Sequence, residues 1–330
     1  MIALIVISFV FSALAVMVFM RRARKHARRY AADMPQRFHK GHIPRLGGAG
    51  VFLGMGLAWL SAGWPGDPFN VRWPAMASAL LLLCWVLGLG VYRTGFATVD
   101  GWMRVAPYLA VLFAALAIGG LPHAFNIIDG YNGLAGTVAV LVCLAITHVA
   151  LQVGDRQLAA MVICLFGATL GFLMWNYPSG KIFAGDGGAY VWGMVIAVAC
   201  VALVQRHSVV SPWFPMLLLI YPVWETFFSI YRKVARGQSP GTADALHFHQ
   251  LIFRRIVRVA FSDDEARQLL ARNNRTSPYL WMFAALSVVP AVLFWNNTLV
   301  LMACTALFVA TYVTAYLMIV RFKVPRWLRP

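Results

Sequence analysis

Apolar residues along this chain come in long runs separated by polar stretches. The runs cover 1–20, 47–64, 75–92, 105–121, 134–153, 158–175, 189–204, 210–231, 279–295 and 298–320. A bilayer core needs about 20 apolar residues at about 1.5 Å of rise each, so each run is read as a helix that crosses a membrane. The pattern predicts an all-α, polytopic transmembrane bundle of about ten spans, folded as a single integral membrane domain over residues 1–330.

The polar stretches are 21–46, 122–133, 176–188 and 232–278. The first run ends in Arg21, Arg22, Arg24, Lys25, His26, Arg28 and Arg29 with no small-residue cleavage signal, so a retained first span is expected. Lys and Arg stay on the cytoplasmic side, which places loop 21–46 there. Counting back from the basic tail of Arg321, Lys323, Arg326 and Arg329 puts 232–278, 176–188 and 122–133 on that same face. Counting forward through three runs puts 122–133 on the opposite face. Between 47 and 121, then, either one run is re-entrant or one span is missing.

Composition agrees with the pattern: 61% of residues are hydrophobic and 12% charged, where a soluble domain carries about a quarter charged. The net charge of +17 sits in short stretches beside apolar runs, so it orients the chain, and no nucleic-acid partner is expected. Cys84, Cys143, Cys164, Cys200 and Cys304 all fall inside apolar runs without CxxC spacing, which reads as buried packing and not as a zinc site or disulfide framework.

Acidic residues are scarce, eleven in all, so each is informative. Asp186 lies in FAGDGG at 183–188, where flanking glycines let backbone, phosphate and metal approach closely; a plain N-cap aspartate is the competing reading. In NIIDGYNGL at 126–134, Asn126 and Asp129 are three apart and share a helical face, and a capped helix start is equally open. His247 and His249, followed by Arg254, Arg255 and Arg258, suit a diphosphate, with anionic lipid headgroups as the alternative and a metal on the histidines weaker for want of a third ligand. Lys40 and Arg45, beside a Pro turn and a Gly pair, suit a phosphate contact or an ordinary basic flank. Asp263, Asp264 and Glu265 read as a helix start, with Ser262 and Glu265 forming a capping box. A transporter is disfavoured because the acids lie in loops or at run edges, Glu225 being the main exception.

The order of these segments is more specific than any one of them: PRLGG at 44–48, NIIDGYNGLAG at 126–136, NYPSGKIFAGD at 176–186, PVWETFFSIYR at 222–232 and HFHQLIFRR at 247–255. Together they resemble the bacterial polyprenyl-phosphate N-acetylhexosamine-1-phosphate transferase family, glycosyltransferase family 4. The resemblance implies a Mg2+-dependent enzyme of the bacterial inner (cytoplasmic) membrane. Such an enzyme moves a sugar 1-phosphate from a UDP-sugar to polyprenyl phosphate, releases UMP, and serves cell-envelope glycan synthesis such as that of lipopolysaccharide O-antigen. It implies Asp186 as metal ligand and Phe183 as the aromatic stacked on uracil, with Asp129, His247 and His249 catalytic. Asn126, Gly130, Asn132, Lys40, Arg254 and Arg255 would bind substrate, Asn132 standing where many members have Asp and Gln250 where a final His is usual. A homodimer is a compatible assembly.

One departure stands out. The resemblance calls for an adjacent Asp-Asp pair after the third span, whereas residues 87–96 contain no acid, and the single Asp100 sits beside Trp102 in what reads as an interfacial turn. A deletion joining the remnants of two spans into 75–92 would explain both the missing pair and the failed count. The sequence therefore leaves a second expectation open: a catalytically impaired member that binds nucleotide-sugar or a partner enzyme.

Overall fold

The computed structural model describes residues 1–22, 43–62, 93–239, 246–257 and 265–321. Among them are twelve helices: α1 Ile2–Arg22, α2 Gly47–Ala62, α3 Ala97–Val105, α4 Pro107–Ile128, α5 Leu134–Gln152, α6 Arg156–Asn176, α7 Gly185–Arg206, α8 Trp213–Leu218, α9 Ile220–Val234, α10 Phe248–Arg255, α11 Glu265–Leu293 and α12 Thr298–Val320. Seven, α1, α4 to α7, α11 and α12, are long and apolar enough to cross a membrane, and α2 is a shorter apolar helix. The chain is an all-α multi-pass membrane protein. The expected run 75–92 lies outside the described residues.

Local chemistry sets several helix ends. Asp155 starts α6 by accepting from the Leu158 amide at 2.9 Å, and Asn297 starts α12 by accepting from Val300 at 3.2 Å. The expected span 210–231 is instead two helices. A proline ring collides with the carbonyl four residues back, and Pro222 stands four residues after Leu218, where α8 ends.

Two other boundaries move in the opposite sense. The polar stretch expected from 122 begins only at Asp129, because α4 continues through Pro122. There α7 comes so close that a Cβ on Gly193 would lie 2.3 Å from the Pro122 Cα. The stretch read as loop 232–278 holds α10 and the first turns of α11, which carries Pro278 inside it and runs without interruption into the span expected at 279–295.

Cross-helix bonds give the direction of each crossing. Trp175, at the end of α6, donates to the Ala13 carbonyl midway along α1, at 3.0 Å. Gly47, opening α2, donates to the Phe183 carbonyl just ahead of α7, at 2.9 Å. The ends of α1 and α6 and the starts of α2 and α7 therefore share one face. Trp59, near the end of α2, donates to Met161 early in α6 on the other face, at 3.1 Å. Arg93 lies on that other face as well, its guanidinium donating to the Val204, His207 and Ser208 carbonyls at the end of α7. The chain thus leaves at Ala62 and resumes at Arg93 on one side, and α4 carries it back so that Asp129 joins the first face. The parity that failed on counting runs closes over the described helices.

Candidate active site

Four segments far apart in sequence meet on the face that holds Asp129, and backbone bonding does much of the joining. Residues 44–48 lie against 183–185: the Phe183 amide donates to Pro44 O at 2.9 Å, Gly47 donates to Phe183 O, and Gly48 donates to Ala184 O at 3.0 Å. A helix start leaves amides without intrahelical partners, and here two of those of α2 are satisfied by the strand-like approach to α7. Gly185 adopts φ +69°, and a Cβ there would stand 2.5 Å from the Arg45 carbonyl, so a glycine is required. This packing sets Arg45 beside Asp186, which lies exposed in the first turn of α7.

Asp129 closes the triangle. Its amide donates to Asn126 O at 3.3 Å at the end of α4, and its carboxyl is recessed yet partly exposed. Burial pushes that carboxyl from 3.8 up to about 7, with Arg45 pulling it down and Asp186 pushing it further up. Asp129, Arg45 and Asp186 are therefore one electrostatic unit. Asn126 is partly exposed on the same last turn, as its spacing predicts.

The turn after Asp129 is held by asparagines. The Asn176 side chain accepts from Gly133 N at 2.6 Å and donates to Ile182 O at 2.7 Å, tying the 129–133 turn to the 182–186 turn. Asn132 is buried; its amide donates to Asn273 Oδ1 at 2.7 Å, its side chain donates to Asn274 Oδ1 at 3.0 Å, and its carbonyl accepts from Ser277 Oγ at 2.5 Å. In this structure Asn132 fastens the turn to α11.

His247 and His249 stack with ring centroids 5.3 Å apart and an interplanar angle of 8°. The His249 ring presses on Gly130, whose Cβ, if present, would lie 3.1 Å from Nε2. His247 and Glu225 bond at 3.0 Å between Nδ1 and Oε1; Glu225 also accepts from Phe248 N at 3.0 Å and from the Tyr312 hydroxyl at 2.7 Å. Tyr131 packs edge-on against His249 and tilted on Phe253, and the same tyrosine lies within the field of Arg254 and Arg272.

The expected residues divide accordingly. The fold brings together Asp129, Gly130, Asp186, His247 and His249, with Asn126 at the edge and Arg254 exposed nearby. Arg255 is placed elsewhere: its guanidinium donates to the Ile319 and Val320 carbonyls, each at 2.7 Å, and so caps α12. Phe183 is 8% exposed. Lys40 lies outside the described residues. Asp100 accepts from the Thr94 amide and hydroxyl on the opposite face, in keeping with an interfacial turn. Glu225, Asn176 and Arg272 were not among the expected site residues, although a lone acid inside an apolar run was a signal for the first.

Among the described residues no group of three or more His, Cys, Asp or Glu side chains forms a metal cage. Mg2+, however, commonly uses one or two carboxylates and completes its shell with waters and substrate phosphates. Asp186, an exposed carboxylate in the first turn of α7, suits such a site.

A family model for glycosyl transferase family 4 matches residues 65–204, which include both turns bearing Asp129 and Asp186. The chain is similar to a probable undecaprenyl-phosphate N-acetylglucosaminyl 1-phosphate transferase of Bacillus subtilis (strain 168), at 26% identity over 74% of this chain and 76% of that protein. It is also similar to an undecaprenyl-phosphate alpha-N-acetylglucosaminyl 1-phosphate transferase of Thermotoga maritima, at 26% identity over 66% of this chain and 70% of that protein. A shorter match, 33% identical over 34% of this chain and 35% of the relative, is to a phospho-N-acetylmuramoyl-pentapeptide-transferase of Moorella thermoacetica.

Proposed function

Since the chain belongs to glycosyl transferase family 4, we propose that it transfers a sugar 1-phosphate, of the N-acetylhexosamine class, from a UDP-sugar to polyprenyl phosphate, releasing UMP. The reaction takes place at the cytoplasmic face of a bacterial inner membrane, in assembly of an envelope glycan such as O-antigen. The observation that carries this reading is the convergence of Arg45, Asp129 and Asp186 beside the stacked histidines on one membrane face.

In this reaction an oxygen of the lipid phosphate attacks the β-phosphorus, the bond from that phosphorus to the bridging oxygen breaks, and UMP carries the oxygen away. Two anions must meet, so the site has to offset their repulsion and the charge growing on the leaving oxygen. The starts of α2 and α7 lie side by side and direct positive helix ends at this face. Arg45 adds a full charge, and His247 and His249 contact the diphosphate. Burial holds the Asp129 carboxyl above the usual carboxylate range, and Asp129 takes the proton of the lipid phosphate monoester as general base. Asp186 would hold Mg2+, which supplies charge neutralisation to the diphosphate.

The test is UMP release from UDP-GlcNAc by membranes supplied with polyprenyl phosphate and Mg2+. The expected result is turnover that falls at least about 100-fold in Asp186→Asn and in Asp129→Asn; turnover untouched by both variants contradicts the assignment.

Two observations favour the second reading, an impaired member that binds nucleotide-sugar or a partner enzyme. Asn132, standing where many family members have Asp, is engaged on Asn273 and Asn274, and residues 87–96 contain no acid. Wild-type protein that binds the UDP-sugar without releasing UMP is the outcome that reading requires.

A further inference from the structure

The buried carboxylate of Glu225 is left unused by the reaction just described. It is 0% exposed and enclosed by α9, α10 and α12. An isolated carboxylate in such a place is costly unless paired and fully hydrogen-bonded. Glu225 meets that requirement with three donors, namely the His247 ring, the Phe248 amide and the Tyr312 hydroxyl. The second of these is also a helix cap: His247 opens α10 without capping it through its own side chain, and Glu225 takes the orphan amide instead.

The arrangement sets the ring of His247. A carboxylate accepts only, so Nδ1 carries the hydrogen and Nε2 is the nitrogen left to meet a ligand. The ring cannot swing, because it also stacks in parallel on His249, and His249 in turn rests on Gly130 beside Asp129. From the other side, Tyr316 holds the chain just ahead of the motif, its hydroxyl donating to Leu246 O at 3.2 Å, one helical turn after Tyr312. The remaining titratable groups within reach are His249 and Tyr221, with Arg232 acting on Tyr312.

We infer that Glu225, braced by Tyr312, is the positioning residue of the histidine pair: it fixes the His247 tautomer and aims Nε2 at the diphosphate. This deepens the transferase reading and rests on it for the identity of the ligand, while the orientation of His247 rests on the bonds alone. Carboxylates that orient a working histidine from behind commonly alter affinity or rate by about 10-fold to 100-fold when removed.

The experiment uses the full chain in lipid nanodiscs, with 15N-labelled histidine, comparing wild type with Glu225→Gln and Tyr312→Phe; the His247 signals are identified by their loss in His247→Gln. Glu225→Gln keeps an acceptor oxygen for Nδ1 but removes the charge, so it is expected to weaken the Nδ1-paired signature of His247 and to lower kcat about 10-fold to 100-fold, with KM for UDP-GlcNAc changed by less than about 3-fold. Tyr312→Phe keeps the carboxylate, so a smaller kcat loss of about 3-fold and a smaller shift in the same direction are expected, and this variant decides the matter if Glu225→Gln does not fold. A weakened His247 signature with unchanged kcat overturns the inference, as does a lost kcat with the signature intact or a silent Tyr312→Phe beside an unfolded Glu225→Gln. If wild type itself shows no turnover, the transferase reading fails, and the His247 signature still decides whether Glu225 holds the ring.

Discussion

His249 lies against Gly130 so closely that a methyl at that glycine would stand 3.1 Å from Nε2. The ring has little room to yield, being 2% exposed and stacked on His247. Gly130→Ala is therefore expected to displace the histidine pair from Asp129 and cut kcat about 10-fold, with the folded protein still recovered. Steady-state UMP release alongside a thermal melt separates the two effects.

Asp129→Asn should lower activity and raise stability. The carboxyl is pushed by burial from 3.8 up to about 7, so the folded chain holds this proton more tightly than the unfolded chain. That advantage is complete below about pH 4 and is lost as pH rises to about 7, above which no further loss accrues. Asparagine never ionises, so the variant should match wild type near pH 4 and exceed it by about 2 kcal/mol near pH 8, a value reduced from the full shift because the side chain is partly exposed. Melting of ligand-free protein in nanodiscs across this range is the check. A gap that narrows as pH rises would reverse the assigned sign.

Arg255→Ala is expected to act on stability alone. Its guanidinium satisfies the Ile319 and Val320 carbonyls at the end of α12, and charge-assisted bonds of this kind contribute about 1–3 kcal/mol. A lower melting temperature with KM for UDP-GlcNAc unchanged is the expected outcome. A several-fold rise in KM would return Arg255 to the substrate-binding set that its place in the motif implied.

Asn176→Ala removes two buried bonds that tie the 129–133 turn to the 182–186 turn. It leaves the Gly133 amide and the Ile182 carbonyl without those partners, at a cost of about 2 kcal/mol or more. Both carboxylates are carried on the turns it joins, so kcat should fall with stability. Asn176→Asp, which keeps an acceptor for Gly133 and loses the donor to Ile182, should fall between the alanine variant and wild type in the same assays.

The parts of this molecule written in local pattern were legible in its sequence. Apolar runs marked the crossings, and glycine-flanked acids marked Asp129 and Asp186. What depended on distant partners was not. Pro122 reads as a helix stop until Gly193 is seen to let α7 pack against it. Arg272, Asn273 and Asn274 read as loop polarity, whereas they are turns of α11 that hold the 131–133 segment and Phe253. Glu225 reads as a stray charge in an apolar run until three elements close around it. Over the described helices the count closes, because Arg93 bonded to the end of α7 shows on which side the chain resumes.

The central claim is that a sugar 1-phosphate moves as a unit onto a lipid phosphate. UDP-GlcNAc labelled with 32P in the β-phosphate tests this most directly. With wild-type membranes, polyprenyl phosphate and Mg2+, the label is predicted to pass into the lipid extract while unlabelled UMP appears in equal amount, and Asp186→Asn is predicted to abolish both. Label that stays in the aqueous phase, as UDP or as unreacted UDP-GlcNAc, would contradict the account.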